Sequence, residues 1–256
     1  MNLKIALHAI AQETFRDQAD GDYISARMNY RMELREQFLW ASLQACEKYL
    51  KAILLFNEKS ARFCDGAKPG EQKKRRPEFG HDLHKLLVAV QEITDLPLDK
   101  PEWLTEFLGY LNRFGNNRYL SIATYAVGDE LRRIDEVVWT LRRLCQSFDW
   151  FVTCGDGPEK NHRPRLLAQI SNPERRKNPA LERPFGAIDG HLEKVLKRPH
   201  RDMARRALVW NNLFFANRQR HRLSYLHLSS SANPPQTRDW FNTPAITQVI
   251  EEYVKF

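Results

Sequence analysis

The sequence has few cysteines, and none stands in a metal-binding arrangement. Its 256 residues include four, Cys46, Cys64, Cys145 and Cys154, with no C-x-x-C pair and no histidine at zinc-finger spacing. This pattern argues against both a disulfide framework and a structural zinc site. We therefore expect reduced thiols, a cytoplasmic location, and no bound metal or cofactor.

Long apolar runs are also lacking. No stretch approaches the roughly 18 to 20 residues that a membrane span needs. The apolar patch at residues 5–11 is interrupted by His8 and followed at once by charged residues, which is unlike a signal peptide. At 42% hydrophobic and 28% charged residues, the chain can still bury a core. We expect a folded protein with no membrane contact.

Acidic residues become scarce in the last two fifths of the chain. Residues 1–150 carry 22 lysines and arginines against 22 acidic residues, whereas residues 151–256 carry 18 against 10. The neutral first part excludes a uniformly basic protein of the ribosomal kind. The basic second part favours an acidic partner.

The hydrophobic periodicity predicts helices along most of the chain. Residues 34–56 carry two apolar stripes, which is typical of a central helix, and residues 129–148 form an amphipathic helix. Shorter helices are predicted at 22–32, 83–90, 103–111, 191–197, 202–220 and 243–254, with Asp82 and the segment 20–22 as N-caps. We therefore predict an all-α protein with a helical bundle at 1–152 and a basic, mostly helical region at 153–256.

Three short motifs in the first part resemble the HEPN domain family. Residues 44–55 read Q-A-C-E-K-Y-L-K-A-I-L-L, residues 80–83 read G-H-D-L, and Arg118-Tyr119 precedes the helix at 129–148. The resemblance covers residues 20–150. It implies an antiparallel helical bundle, a homodimer, and a nucleotidyltransferase as a possible partner. Some members of the family are metal-independent ribonucleases that use R-x(4–6)-H, and others bind nucleotides or recruit partners.

The ribonuclease motif is missing from its expected place, because no histidine follows Arg113 or Arg118 at the required spacing. Pairs at this spacing occur elsewhere, and chance alone produces several in so arginine-rich a chain. Pro77 lies inside the pair formed by Arg76 and His81 and excludes a helix there. Arg222 and His227 remain as the candidate catalytic pair, with histidine moving a proton and arginine holding phosphate charge.

A second group of candidates follows the helix at 103–111. Arg113, Asn117, Arg118 and Tyr119 could clamp a phosphate and stack a base, as single-stranded nucleic-acid and nucleotide sites do. The alternative is structural: the arginines stabilise a helix C-terminus and the tyrosine packs.

The third group is the arginine cluster formed by Arg201, Arg205 and Arg206. Such clusters suit contacts with a nucleic-acid backbone. A solvated basic face or an acidic protein partner explains them equally well, since Trp210 and Phe214 share an apolar stripe and are expected in the core.

These patterns lead to three hypotheses. The first is a nucleotide- or RNA-binding protein of a prokaryotic defence, toxin–antitoxin or regulatory system. The second is a metal-independent ribonuclease with an Arg/His pair. The third is a non-catalytic module that dimerises and recruits a partner.

Overall fold

Helices make up most of the chain that the structure describes. The computed structural model describes residues 3–64, 78–98, 101–115, 129–148, 151–152, 160–161, 163–164, 167–168 and 190–215. The helices are α1 (Leu3–Ile10), a π-helical segment (Ala11–Arg16), α2 (Asp17–Arg31), α3 (Arg35–Phe56), α4 (Leu83–Gln91), α5 (Glu102–Phe114), α6 (Glu130–Arg142), α7 (His191–Leu196) and α8 (Met203–Val209). Two-residue strands β1 (Phe151–Val152) and β2 (Lys160–Asn161) pair antiparallel. The predicted all-α class is confirmed.

Helix α3 is the centre of the bundle, as its two apolar stripes predicted. Fifteen of its 22 residues are buried, and it packs against the π-helical segment, α1, α2, α4, α5 and α6. A helix enclosed in this way has few positions left for charged side chains. Its start at Arg35 and its end at Phe56 agree with the predicted range.

Asp82 caps α4 as predicted and also ties α4 to α5. Its carboxylate accepts hydrogen bonds from the backbone N–H groups of His84 at 3.0 Å and Lys85 at 3.3 Å. The side chain of Asn112 on α5 donates to the same carboxylate at 3.2 Å and accepts from the N–H of Leu83 at 3.1 Å. One cap thus fixes both the start of α4 and its position beside α5.

Residues 190–215 belong to the same hydrophobic core as the bundle. Leu192, Val195, Leu208 and Phe215 are almost completely buried within it. The ring of Phe215 lies 5.8 Å from that of Trp139 on α6, between ring centroids. In the part of the chain that the structure describes, one hydrophobic core therefore includes residues from both sides of the predicted boundary at residue 152.

Three local predictions differ from the structure. The amphipathic helix predicted at 129–148 is α6, which ends at Arg142, six residues earlier than predicted. The segment 20–22 was expected to cap a helix, but α2 runs through it from Asp17 to Arg31, and Asp20 is buried inside the fold.

Helix α8 was expected to continue to residue 220, but it ends at Val209. Asn211 takes a left-handed conformation with φ of 47°. The side chain of Asn212 then accepts from the N–H groups of Phe214 and Phe215, which replaces the helical pattern.

Candidate nucleic-acid interface

A buried ion cluster attaches α7 to the bundle. The guanidinium of Arg142 contacts the carboxylate of Asp20 at 2.6 and 2.8 Å and that of Glu193 at 2.9 and 2.8 Å. Asp20 also accepts from the hydroxyl of Tyr49 at 2.7 Å and from the N–H of Leu192 at 3.1 Å. Burial disfavours the charged form of Arg142, but the two carboxylates outweigh that cost and raise its pKa. Detaching α7 from the bundle would therefore expose the charges of this cluster to solvent or leave them without a partner.

Gly190, which precedes α7, lies directly against this cluster. A Cβ atom at this position would overlap Nη2 of Arg142, and it would lie 3.0 Å from Oε2 of Glu193. The N–H of Gly190 donates to the same Glu193 oxygen at 3.0 Å. The close approach of backbone to guanidinium requires glycine here.

A second buried cluster attaches α8. Arg27 on α2 pairs with Asp135 on α6, and its guanidinium also donates to the carbonyl oxygens of Ala207, at 2.9 Å, and Trp210. The hydroxyl of Tyr23 donates to Asp135 at 2.6 Å. Burial raises the pKa of Tyr23, and the neighbouring carboxylate of Asp135 raises it further. The end of α8 is thus held by an arginine that lies completely inside the protein.

These anchors leave one side of residues 190–215 facing outward, and that side is basic. Most of the segment's inner positions are apolar, with Arg205 and Asn212 as the buried polar exceptions. Six of its ten exposed positions carry cationic or histidine side chains, and the other four are Pro199, Met203, Asn211 and Leu213. We call the six the basic face: Lys194, Lys197, Arg198, His200, Arg201 and Arg206.

The segment offers little negative charge to offset the basic face. Its only acidic residues are Glu193 and Asp202. Glu193 is committed to Arg142 and to the Gly190 N–H. Asp202 accepts from the N–H of Arg205 at 3.0 Å and lies 3.5 Å from Arg198. The hydrogen bond from the backbone of Arg205 lowers the pKa of Asp202, so this carboxylate stays ionised as a helix cap.

The structure distinguishes the three arginines predicted at α8. Arg201 and Arg206 are exposed, as contact with a nucleic-acid backbone requires. Arg205 is 7% exposed, and its Nε donates to the carbonyl oxygen of Leu196 at 3.0 Å. Its guanidinium connects α8 to the end of α7 inside the fold, so Arg205 has a structural role and is not part of the exposed surface.

Of the predicted site formed by Arg113, Asn117, Arg118 and Tyr119, the structure describes only Arg113. Arg113 is exposed on the last turn of α5, with its guanidinium carbon 5.3 Å from the centroid of the Phe114 ring. Asn117, Arg118 and Tyr119 lie outside the described residues, and so do Arg222 and His227. The predictions for these five residues therefore stay predictions.

Sequence reasoning missed the buried charges that position the basic face. Asp20, Tyr23 and Arg27 recur at the spacing of one helix face on α2, and Asp135 and Arg142 are separated by two turns on α6. Charged residues on a helix face that is otherwise apolar are a signal of buried pairing. The signal shows that partners are needed, but it does not say which residues supply them.

No family model matches the chain, and no match was found among curated proteins or solved structures. Within the described ranges, no group of three or more histidine, cysteine or acidic side chains could hold a metal ion. None of the described helices combines the length and apolar character needed to cross a bilayer.

Proposed function

We propose that this protein binds RNA through the basic face. The observation that carries the proposal is the charge distribution of residues 190–215. Five of their six lysines and arginines are exposed, while both of their carboxylates are engaged in structural contacts. A surface of this kind attracts the phosphate backbone and releases its counterions.

The spread of the cations favours a polymer over a single nucleotide. They are distributed over two helices and the turn between them, so several phosphates can contact them at once. The resemblance of residues 20–150 to HEPN domains supports a setting in a prokaryotic defence, toxin–antitoxin or regulatory system. A homodimer and a nucleotidyltransferase partner belong to the same proposal.

Charge removal on the basic face tests this function. Arg201→Ala and Arg206→Ala should each weaken binding of a labelled RNA several-fold at low salt, measured by fluorescence anisotropy. Each should also reduce the slope of log K against log salt by about 1, because each removes one phosphate contact. The thermal midpoint should not change, since both side chains are exposed.

A matched control is Arg132→Ala. Arg132 is also an exposed arginine, but it lies on α6 and pairs with Glu136 at 3.1 Å. It should leave RNA affinity unchanged. Arg113→Ala and Arg118→Ala report separately on the connection between α5 and α6. Wild-type affinity in Arg201→Ala and Arg206→Ala would show that the basic face is only a solvated surface.

A further inference from the structure

We infer that the basic face recognises double-stranded RNA through its phosphates and does not read bases. This inference rests on the proposed function and names the substrate class. Two features of residues 190–215 support it: the state of their aromatic rings and the rigidity with which their cations are held.

The aromatic side chains of this segment are engaged within the protein. Single-stranded RNA is bound chiefly by stacking its bases on exposed aromatic rings. Trp210 is half-buried, and the guanidinium carbon of Arg31 lies 5.3 Å from its ring centroid. Phe214 packs 5.8 Å from Trp139, and Phe215 is only 1% exposed. These three rings therefore offer no open platform on which a base can stack.

The cations, by contrast, are held on a rigid support. Helix α7 is anchored by Arg142 through Glu193, and α8 is anchored by Arg27 through its last carbonyl groups. The backbone that carries the charges is therefore fixed before binding, and the least conformational freedom is lost when the array of phosphates is preformed as well. A duplex is such an array, whereas a single strand must be ordered when it binds.

The higher phosphate density of a duplex also favours a duplex over a single strand. The salt dependence of binding is steeper for a duplex, with a slope of about −0.9 per contact against about −0.7 for a single strand, because more counterions are released. Because the three rings of residues 190–215 offer a single strand no stacking on this face, electrostatics sets the preference there. The expected result is a shape- and charge-based interaction that is insensitive to sequence.

The test uses the full chain and labelled RNA of about 16 base pairs, the span of known duplex-binding domains. Two RNA duplexes of unrelated sequence, each of their separated strands, and a DNA duplex of one of the two sequences are titrated by fluorescence anisotropy over a series of KCl concentrations. We expect the RNA duplexes to bind equally and about tenfold more tightly than the strands. Arg201→Ala and Arg206→Ala should weaken both RNA duplexes to the same extent.

The outcomes separate this inference from the proposed function. Tighter binding of the single strands would overturn the duplex preference and leave RNA binding intact. If Tyr119→Ala then removed that advantage, stacking near α5 would be the cause. A large difference between the two duplexes would contradict backbone-only recognition, and tighter binding of duplex DNA would contradict the choice of RNA. No binding to any RNA at low salt would overturn the proposed function itself.

Discussion

Asp135 is a carboxylate whose burial strongly disfavours its charged form. It is 1% exposed, and it is contacted by the guanidinium of Arg27 and the hydroxyl of Tyr23. Burial raises the pKa of Asp135 to about 6, although both neighbours favour the charged form. Its protonation should therefore report on the integrity of the cluster that holds α8.

The pKa of Asp135 predicts a specific pH dependence. In the unfolded chain an aspartate loses its proton near pH 4, whereas in the native state Asp135 keeps it to about pH 6. The native state binds more protons in this interval, so the contribution of this residue to the free energy of unfolding falls as the pH rises from about 4 to about 6. A carbon-13 NMR titration should give a midpoint near 6. A midpoint below 4 would show that Arg27 dominates over burial.

At the scale of the elements, the contact between α5 and α3 depends on one small residue. A Cβ atom at Gly115 would lie only 2.7 Å from the Cβ atom of Leu43 on α3. The φ angle at Gly115 is −64°, an ordinary helical value, so the requirement is for space and not for backbone freedom. The end of α5 can approach α3 because no side chain stands between them.

Gly115→Ala should therefore destabilise the protein by about 1 to 3 kcal/mol, the usual cost of overpacking. Urea unfolding measures the change. The matched control is Gly109→Ala on the exposed side of α5, where a Cβ atom meets nothing within 4 Å. Alanine is the better helix former, so this control should gain up to about 1 kcal/mol. Equal effects of the two substitutions would mean that helix propensity and not packing decides.

At the scale of the whole molecule, residues 190–215 act as a structural part of the bundle. They supply the carboxylate of Glu193 to Arg142 and the carbonyl groups of Ala207 and Trp210 to Arg27. Removing one partner of such a buried set leaves uncompensated charge. The bundle and the segment that carries the basic face should therefore unfold together.

Arg142→Met tests this coupling. It leaves Asp20 and Glu193 without their shared cation and should cost about 3 to 5 kcal/mol. The neighbouring half-buried arginine supplies the control, and Arg143→Met should cost much less. Hydrogen exchange in the wild type should show α2 and α7 with similar protection. A first transition that releases α7 alone, with α2 still protected, would show an independent segment.

Some of these features could be predicted from the sequence. The range of α3 and the Asp82 cap follow from periodicity and capping preference, which are local properties of the chain. The ends of α2 and α8 could not be predicted in the same way. Asp20 is a residue type that commonly caps helices, but here it is buried in an ion pair with Arg142. Helix α8 ends where the side chain of Asn212 accepts a hydrogen bond from the backbone N–H of Phe214.

The sequence by itself determined the helical class, the central position of α3 and the basic character of the last two fifths, because periodicity and charge are written along the chain. Only the tertiary structure decided that Arg205 is internal while Arg201 and Arg206 are exposed. It also decided that residues 190–215 complete the core of the bundle. This attachment depends on pairings between residues more than 100 positions apart, such as Asp20 with Arg142 and Arg27 with Ala207. No local pattern specifies such partners.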